Sequence, residues 1–116
     1  MKRKDAQLIG EIRTYLDEHL YDQHTVQDIC RKFMINREKL QNGFHELVNS
    51  TVHAYIVGQR MQQAAQRLLG SDDSIKAISL DSGYKKQRSF NKTFKTIFNM
   101  TPAAYRRLQR ERAESQ

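Results

Sequence analysis

The sequence predicts an all-α fold of about seven helices, arranged as two helix-turn-helix subdomains joined by a long linker helix. Three observations carry this. Gly is sparse, with five residues, and Pro occurs once, which disfavours a turn-rich β fold. Apolar residues recur at helical spacing along most of the chain. The second half also repeats the first. With 116 residues, 38% hydrophobic and 28% charged, the chain is large enough for one modest core and too apolar for disorder. The expected organisation is one domain over 1–116. A first lobe occupies about 6–49, the linker helix 50–70, the second lobe 71–110, and a polar, frayed tail 111–116.

The elements follow in order. Leu8, Ile9, Ile12, Tyr15, Leu16 and Leu20 share one helical face and predict a first helix from about Asp5 to Leu20. Tyr21 to His24 breaks the pattern. Thr25 is an N-cap residue with Asp28 at the capping-box offset, opening a short amphipathic helix through Val26, Ile29, Cys30 and Phe33. The turn Met34-Ile35 leads to a second cap, Asn36, and a helix striped by Leu40, Phe44, Leu47 and Val48. Two short helices joined by a tight turn form a helix-turn-helix. Ser50 or Thr51 caps the linker helix, which runs to about Leu69, with Gly70 placed as its stop. Its roughly 19 residues span about 28 Å. Asp72, Asp73 and Ser74 restart the pattern, Ile75, Ile78 and Leu80 form a short helix, and Gly83 supplies a turn. Phe90, Phe94, Ile97 and Phe98 stripe the next helix. Thr101-Pro102, a cap followed by Pro at the first helical position, starts a last helix to about Arg110.

The repeat is explicit. Residues 36–60 align with 86–110 at an offset of 50, with identities at Phe44/Phe94, Asn49/Asn99, Thr51/Thr101, Ala54/Ala104, Tyr55/Tyr105, Gln59/Gln109 and Arg60/Arg110. Upstream the offset is 49 (Val26/Ile75, Ile29/Ile78, Cys30/Ser79, Ile35/Tyr84), so the second copy carries one extra residue near its turn. Such ordered self-similarity reads as a duplicated helical unit.

The copies differ in charge. The net charge of +7 lies wholly in residues 59–116, with twelve Lys/Arg and five Asp/Glu, whereas residues 1–58 hold eight of each. From Tyr84 to Arg110 there are eight basic residues and no acidic one. A solvated surface normally mixes signs, so this stretch points to a polyanionic partner. The lone Cys30 sits in an apolar stripe and reads as a small core residue, with a reducing cytoplasm as the expected compartment. No apolar run approaches a membrane span, and the basic start Met1-Lys2-Arg3-Lys4 runs into a polar helical pattern rather than a signal peptide. His19, His24, His45 and His53 have no metal-site spacing and read as surface or helix-end residues. With no phosphate-binding Gly loop or nucleophile motif, no enzyme, cofactor or small-molecule site is expected.

Three stretches resemble the AraC/XylS family of bacterial transcription regulators: Ser74-Ile-Lys-Ala-Ile-Ser-Leu-Asp-Ser-Gly-Tyr84, Phe90-Asn-Lys-Thr-Phe94-Lys, and Met100-Thr-Pro-Ala-Ala-Tyr-Arg106. The first unit and the linker segment Arg60-Met-Gln-Gln-Ala-Ala-Gln-Arg-Leu-Leu69 fit more loosely, and the resemblance covers roughly residues 6–108. It implies seven helices in two lobes, with one recognition helix per lobe entering successive major grooves of double-stranded DNA. A DNA turn is about 34 Å, comparable to the linker helix. The resemblance also implies a cytoplasmic, nucleoid-associated activator that contacts RNA polymerase. Departures are Met34 where the family usually has a small turn residue, often Gly, Asn36 for Ser, and Tyr84 for Phe. A left-handed backbone at Met34 would be strained, so the first turn is expected to differ in detail. Gly43, inside the first recognition helix, either permits close approach to DNA or is a tolerated exposed glycine.

The candidate DNA-binding residues follow. In the second unit, Arg88 suits a bidentate contact to guanine and Gln87 a contact to adenine, while Lys85, Lys86, Lys92 and Lys95 suit phosphates or bases. In the first, Gln41 and Asn42 suit adenine, and Arg37 suits base or phosphate. Glu38 is either an acceptor for the cytosine amino group or a first-turn carboxylate favoured by the helix dipole. Free N–H groups following Thr51 and Thr101 can receive phosphate, and both threonines also read as caps. Tyr55 and Tyr105 read as core aromatics. The rival class is a basic helical module that binds an acidic protein or RNA.

Overall fold

The computed structural model describes residues 1–115, and among them every regular element is a helix. In chain order these are α1 (Arg3–Glu18), α2 (Val26–Phe33), α3 (Arg37–Val48), α4 (Val52–Gly70), α5 (Ile75–Asp81), α6 (Gln87–Phe98) and α7 (Pro102–Glu114). The chain divides within α4 into two compact units, one of Met1–Gln59 and one beginning at Arg60.

In the first unit, Ile9, Ile12 and Leu16 of α1 close over Ile29 of α2, Leu40 and Phe44 of α3, and Val52, Tyr55 and Ile56 of α4. Cys30 is half-buried against this core, as its stripe predicts. Helix α1 ends two residues before the predicted Leu20. The His19 carbonyl lies 2.6 Å from Nε2 of His24, so the chain turns there and Leu20 is buried from the turn instead. Thr25 caps α2 by accepting the Asp28 N–H at 3.0 Å, and Asn36 caps α3 by accepting the Lys39 N–H at 2.8 Å.

Two expectations for the first unit fail instructively. Met34 does adopt the left-handed conformation, at φ 53° and ψ 46°, so the turn keeps its geometry without the glycine. Gly43 is buried, and a Cβ there would sit 2.8 Å from both Cγ1 and Cδ1 of Ile9. It therefore neither faces a ligand nor is an exposed glycine. Its missing side chain is what lets α1 close onto α3.

In the second unit, Met61, Ala64, Ala65 and Leu68 of α4 are buried, as are Ile78 and Ser79 of α5, Phe90 and Phe94 of α6, and Pro102. Gly83 takes φ 98° in the turn, where only glycine is unstrained. Helix α4 stops at Gly70, as the sequence predicts, without the positive φ of a left-handed cap. The end of α4 is held from outside. Arg106 donates from Nε to the Leu68 carbonyl at 2.8 Å and from Nη2 to the carbonyls of Ser71 at 3.2 Å and Asp73 at 2.8 Å. Arg110 adds a bond to Ser71 O at 2.7 Å and one to Asp72 Oδ1 at 3.0 Å. Helix α7 continues to Glu114, so the expected frayed tail from Glu111 is helical through that residue, and Gln116 lies outside the described residues. Leu47, Leu80 and Ile97, all placed in apolar stripes, are exposed at 48%, 51% and 39%.

Candidate nucleic-acid interface

The two helix-turn-helix units share their local geometry. In the first turn the Ile35 N–H donates to the Cys30 carbonyl at 3.1 Å, and in the second the Tyr84 N–H donates to that of Ser79 at 3.0 Å. Asn49 and Asn99 end α3 and α6 in the left-handed conformation, at φ 59° and 63°. Thr51 then caps α4 through the Ala54 N–H at 3.0 Å, as Thr101 caps α7 through the Ala104 N–H at 3.2 Å. Phe44 meets Tyr55 edge-on at 5.4 Å and 74°, and Phe94 meets Tyr105 with the same values. Both tyrosines are thus packing aromatics. The Tyr55 hydroxyl donates to Asp17 Oδ1 at 2.5 Å and accepts from Arg13 Nε at 3.3 Å. Burial, followed by the bond to Asp17, raises its pKa above the ordinary phenol value.

This scaffold turns Leu40, Gly43 and Phe44 of α3 inward and leaves Arg37, Glu38, Gln41 and Asn42 exposed. Glu38 lies in the first turn, where the helix dipole favours a carboxylate. It shares an open groove with Asp5, Asn42, Glu46 and Lys39, where the Met1 ammonium pairs with Glu46 at 3.6 Å, so carboxylates only slightly outnumber cations on this side of α3. In the second unit Phe90 and Phe94 turn inward, while Lys85, Lys86, Gln87, Arg88, Lys92 and Lys95 are all exposed. Among the described residues none of these six side chains is engaged by another group of the chain. Lys86 is the N-cap of α6 rather than part of its body, and it makes no side-chain cap.

Two of the eight basic residues between Tyr84 and Arg110 are committed internally. Arg106 and Arg110 hold the loop after α4, as described above, whereas Arg107 is exposed. The repeat carried a hint of this. Arg106 aligns with Ile56, a core residue of the first unit, so a buried structural role was the simpler reading of that position. No group of three or more His, Cys, Asp or Glu residues among those described could hold a metal ion.

A helix-turn-helix domain family matches residues 29–108, more than half of the chain, across both repeat copies. The chain belongs to the AraC/XylS family. It is 29% identical to the regulatory protein SoxS of Salmonella typhimurium over 86% of this chain and 94% of that protein. It is 28% identical to the raffinose operon transcriptional regulatory protein RafR of Pediococcus pentosaceus, over 92% of this chain but 39% of that one. Among solved structures, the DNA-binding domain of the global transcriptional factor AdpA, determined with a target DNA, is similar at 25% identity and a TM-score of 0.82, covering 93% and 97% of the two chains. An AraC-type regulator from Chromobacterium violaceum shares the fold at 22% identity and a TM-score of 0.80, covering 90% and 94%. As a member of the AraC/XylS family, the chain is a DNA-binding transcription regulator. No described helix is long and apolar enough to cross a membrane.

Proposed function

We propose that this AraC/XylS chain binds double-stranded DNA sequence-specifically through two recognition helices, α3 and α6, in successive major grooves, and that it activates transcription in contact with RNA polymerase at the bacterial nucleoid. The observation that carries the reading is the free cationic face of α6 and its lead-in, borne on a unit whose backbone is matched in the first half. Arg88 reads guanine and Gln87 adenine, while Lys85, Lys86, Lys92 and Lys95 grip phosphates. In the first unit Gln41 and Asn42 read adenine, Arg37 serves base or phosphate, and Glu38 accepts from cytosine. The helix starts after Thr51 and Thr101 add backbone N–H groups facing phosphate.

Selection of binding sites from random duplex DNA tests this directly. The expected product is a bipartite site whose halves lie about one helical turn, 10–10.5 base pairs, apart. A single short half-site, or no preference at moderate salt, defeats the two-helix reading. Arg88→Ala is expected to relax one base-pair position, whereas Lys92→Ala weakens all sequences about equally and lowers the salt slope by about one. Transcription with purified RNA polymerase on a template bearing the selected site checks activation, and repression there would reverse that part of the proposal.

A further inference from the structure

We infer that Met34 is a base-reading residue of the first unit, an apolar side chain at the helix-turn-helix corner that packs on the 5-methyl group of a thymine. The inference rests on the proposed entry of α3 into the major groove. Among the described residues, three non-glycine residues take positive φ: Met34, Asn49 and Asn99. Asparagine tolerates this region and is a common helix terminator there, whereas an unbranched apolar side chain carries a conformational cost that glycine avoids. Met34 recovers nothing inside the chain, because it is 92% exposed. At the repeat offset of 49 its counterpart is Gly83, at φ 98°, so the second copy satisfies the same turn without the cost. An exposed, strained residue of this kind is a functional candidate.

The surroundings indicate what Met34 meets. It lies two residues before the α3 cap, Asn36, at the end of a recognition helix whose first residues meet base edges. Arg31 in the last turn of α2 and Arg37 in the first turn of α3 flank it in sequence, and both are exposed. Lys32 is drawn aside, its Nζ 4.9 Å from the Tyr15 ring centroid. An apolar tip between cations suits a surface that is anionic at its rim and apolar at one point. In the major groove that point is the thymine methyl.

The test uses the duplex selected above, with each thymine replaced in turn by deoxyuridine, which removes only the methyl group. With the unaltered chain, one replacement in the first half-site is expected to weaken binding about fourfold, the worth of one methyl group taken out of water. Met34→Gly should weaken binding to the thymine duplex by at least that factor and abolish the difference between thymine and uracil there. Its melting temperature should be equal or higher, which separates the loss from unfolding. Met34→Leu should keep the discrimination. Unchanged affinity of Met34→Gly, or an equal loss on thymine and uracil duplexes, would overturn the assignment. Failure of the unaltered chain to select any site would instead remove the underlying reading of α3.

Discussion

Over residues 36–60 and 86–110 the two halves of this molecule share a local backbone pattern and assign it different tasks. The caps, the left-handed asparagines and the aromatic pair recur, yet Ile56 becomes Arg106, Gly43 becomes Thr93, and Asn36 becomes Lys86. In the first unit two of these positions serve apolar closure, with Ile56 in the core and Gly43 admitting Ile9, while Asn36 caps α3. In the second they are polar or charged, and Arg106 substitutes three directed bonds for a buried side chain. A duplicated fold therefore does not stabilise both copies in the same way, and substitutions at aligned positions should act differently.

The largest contrast is expected at Arg106. Arg106→Ala removes three bonds, to the Leu68 carbonyl of α4 and to those of Ser71 and Asp73 in the loop after it, leaving acceptors with fewer partners, and should cost about 2–3 kcal/mol. Arg106→Lys should recover only part, because an ammonium cannot reproduce the planar fork. Hydrogen exchange should show the loss at residues 67–81 and α7. An equal loss in α1 and α3 would show that the two units do not hold their stability separately.

Next comes Gly43. Gly43→Ala gains helix propensity of up to about 1 kcal/mol but forces a Cβ to 2.8 Å from two Ile9 carbons, and Ile9 is fully packed. Overpacking of this kind costs about 1–3 kcal/mol, so urea unfolding should show a net loss of about 1 kcal/mol. Ile9→Val in the same background removes the Cδ1 clash and should not add its own cost in full. Thr93→Ala, at the aligned position, should be close to neutral. Stabilisation by Gly43→Ala would mean that Ile9 yields without cost.

These positions also mark what was legible in the sequence. The helices, the caps at Thr25, Asn36, Thr51 and Thr101, the turn at Gly83 and the repeat are local facts, set by periodicity and capping chemistry, and they could be read directly. The exposed faces of α3 and α6 followed, since a residue opposite an apolar stripe must face out. What could not be read depends on distant partners. The burial of Gly43 is decided by α1, more than 30 residues away, and the end of α4 by arginines 38 and 39 residues on. The turn that follows α1 is held by a His24 ring that no helical pattern encodes. Charge counting overstated the second unit for the same reason, because it counted Arg106 and Arg110 with the free lysines.

The binding asymmetry is subtler. Lys85, Lys86 and Lys92 are exposed and unengaged, while the first unit mixes signs around its groove, with Glu38, Asp5 and Glu46 beside Lys39 and the Met1 ammonium. Neutralising any one of the three lysines should reduce the slope of log affinity against log salt by about 0.9, and affinity by several-fold. The same change at Arg37 or Lys39 should do less. Affinities must be compared at one salt concentration, and equal losses in the two units would contradict the asymmetry.

The smallest effect is expected on the acid side of the stability profile. Arg67 of α4 donates to Asp73 at 2.9 Å and to Asp81 at 2.6 Å, tying both ends of the α5 region to α4. The bond from Arg67 holds the Asp73 carboxyl below its ordinary pKa of 3.8. A carboxyl with a lowered pKa in the folded state contributes stability that is complete above the unfolded value and is lost as pH falls through the folded one. The second unit should therefore weaken progressively below about pH 4. Both groups are solvent-exposed, so the contribution is small and screened by salt. Asp73→Asn should flatten this part of the profile slightly, and less than the bond count suggests, because Arg67 keeps Asp81. Asp73→Asn with Asp81→Asn should flatten it further. Melting temperatures between pH 2.5 and 6 at low ionic strength would show the effect. An unchanged profile in the double variant would mean that Arg67 orders the loop without supplying pH-dependent stability.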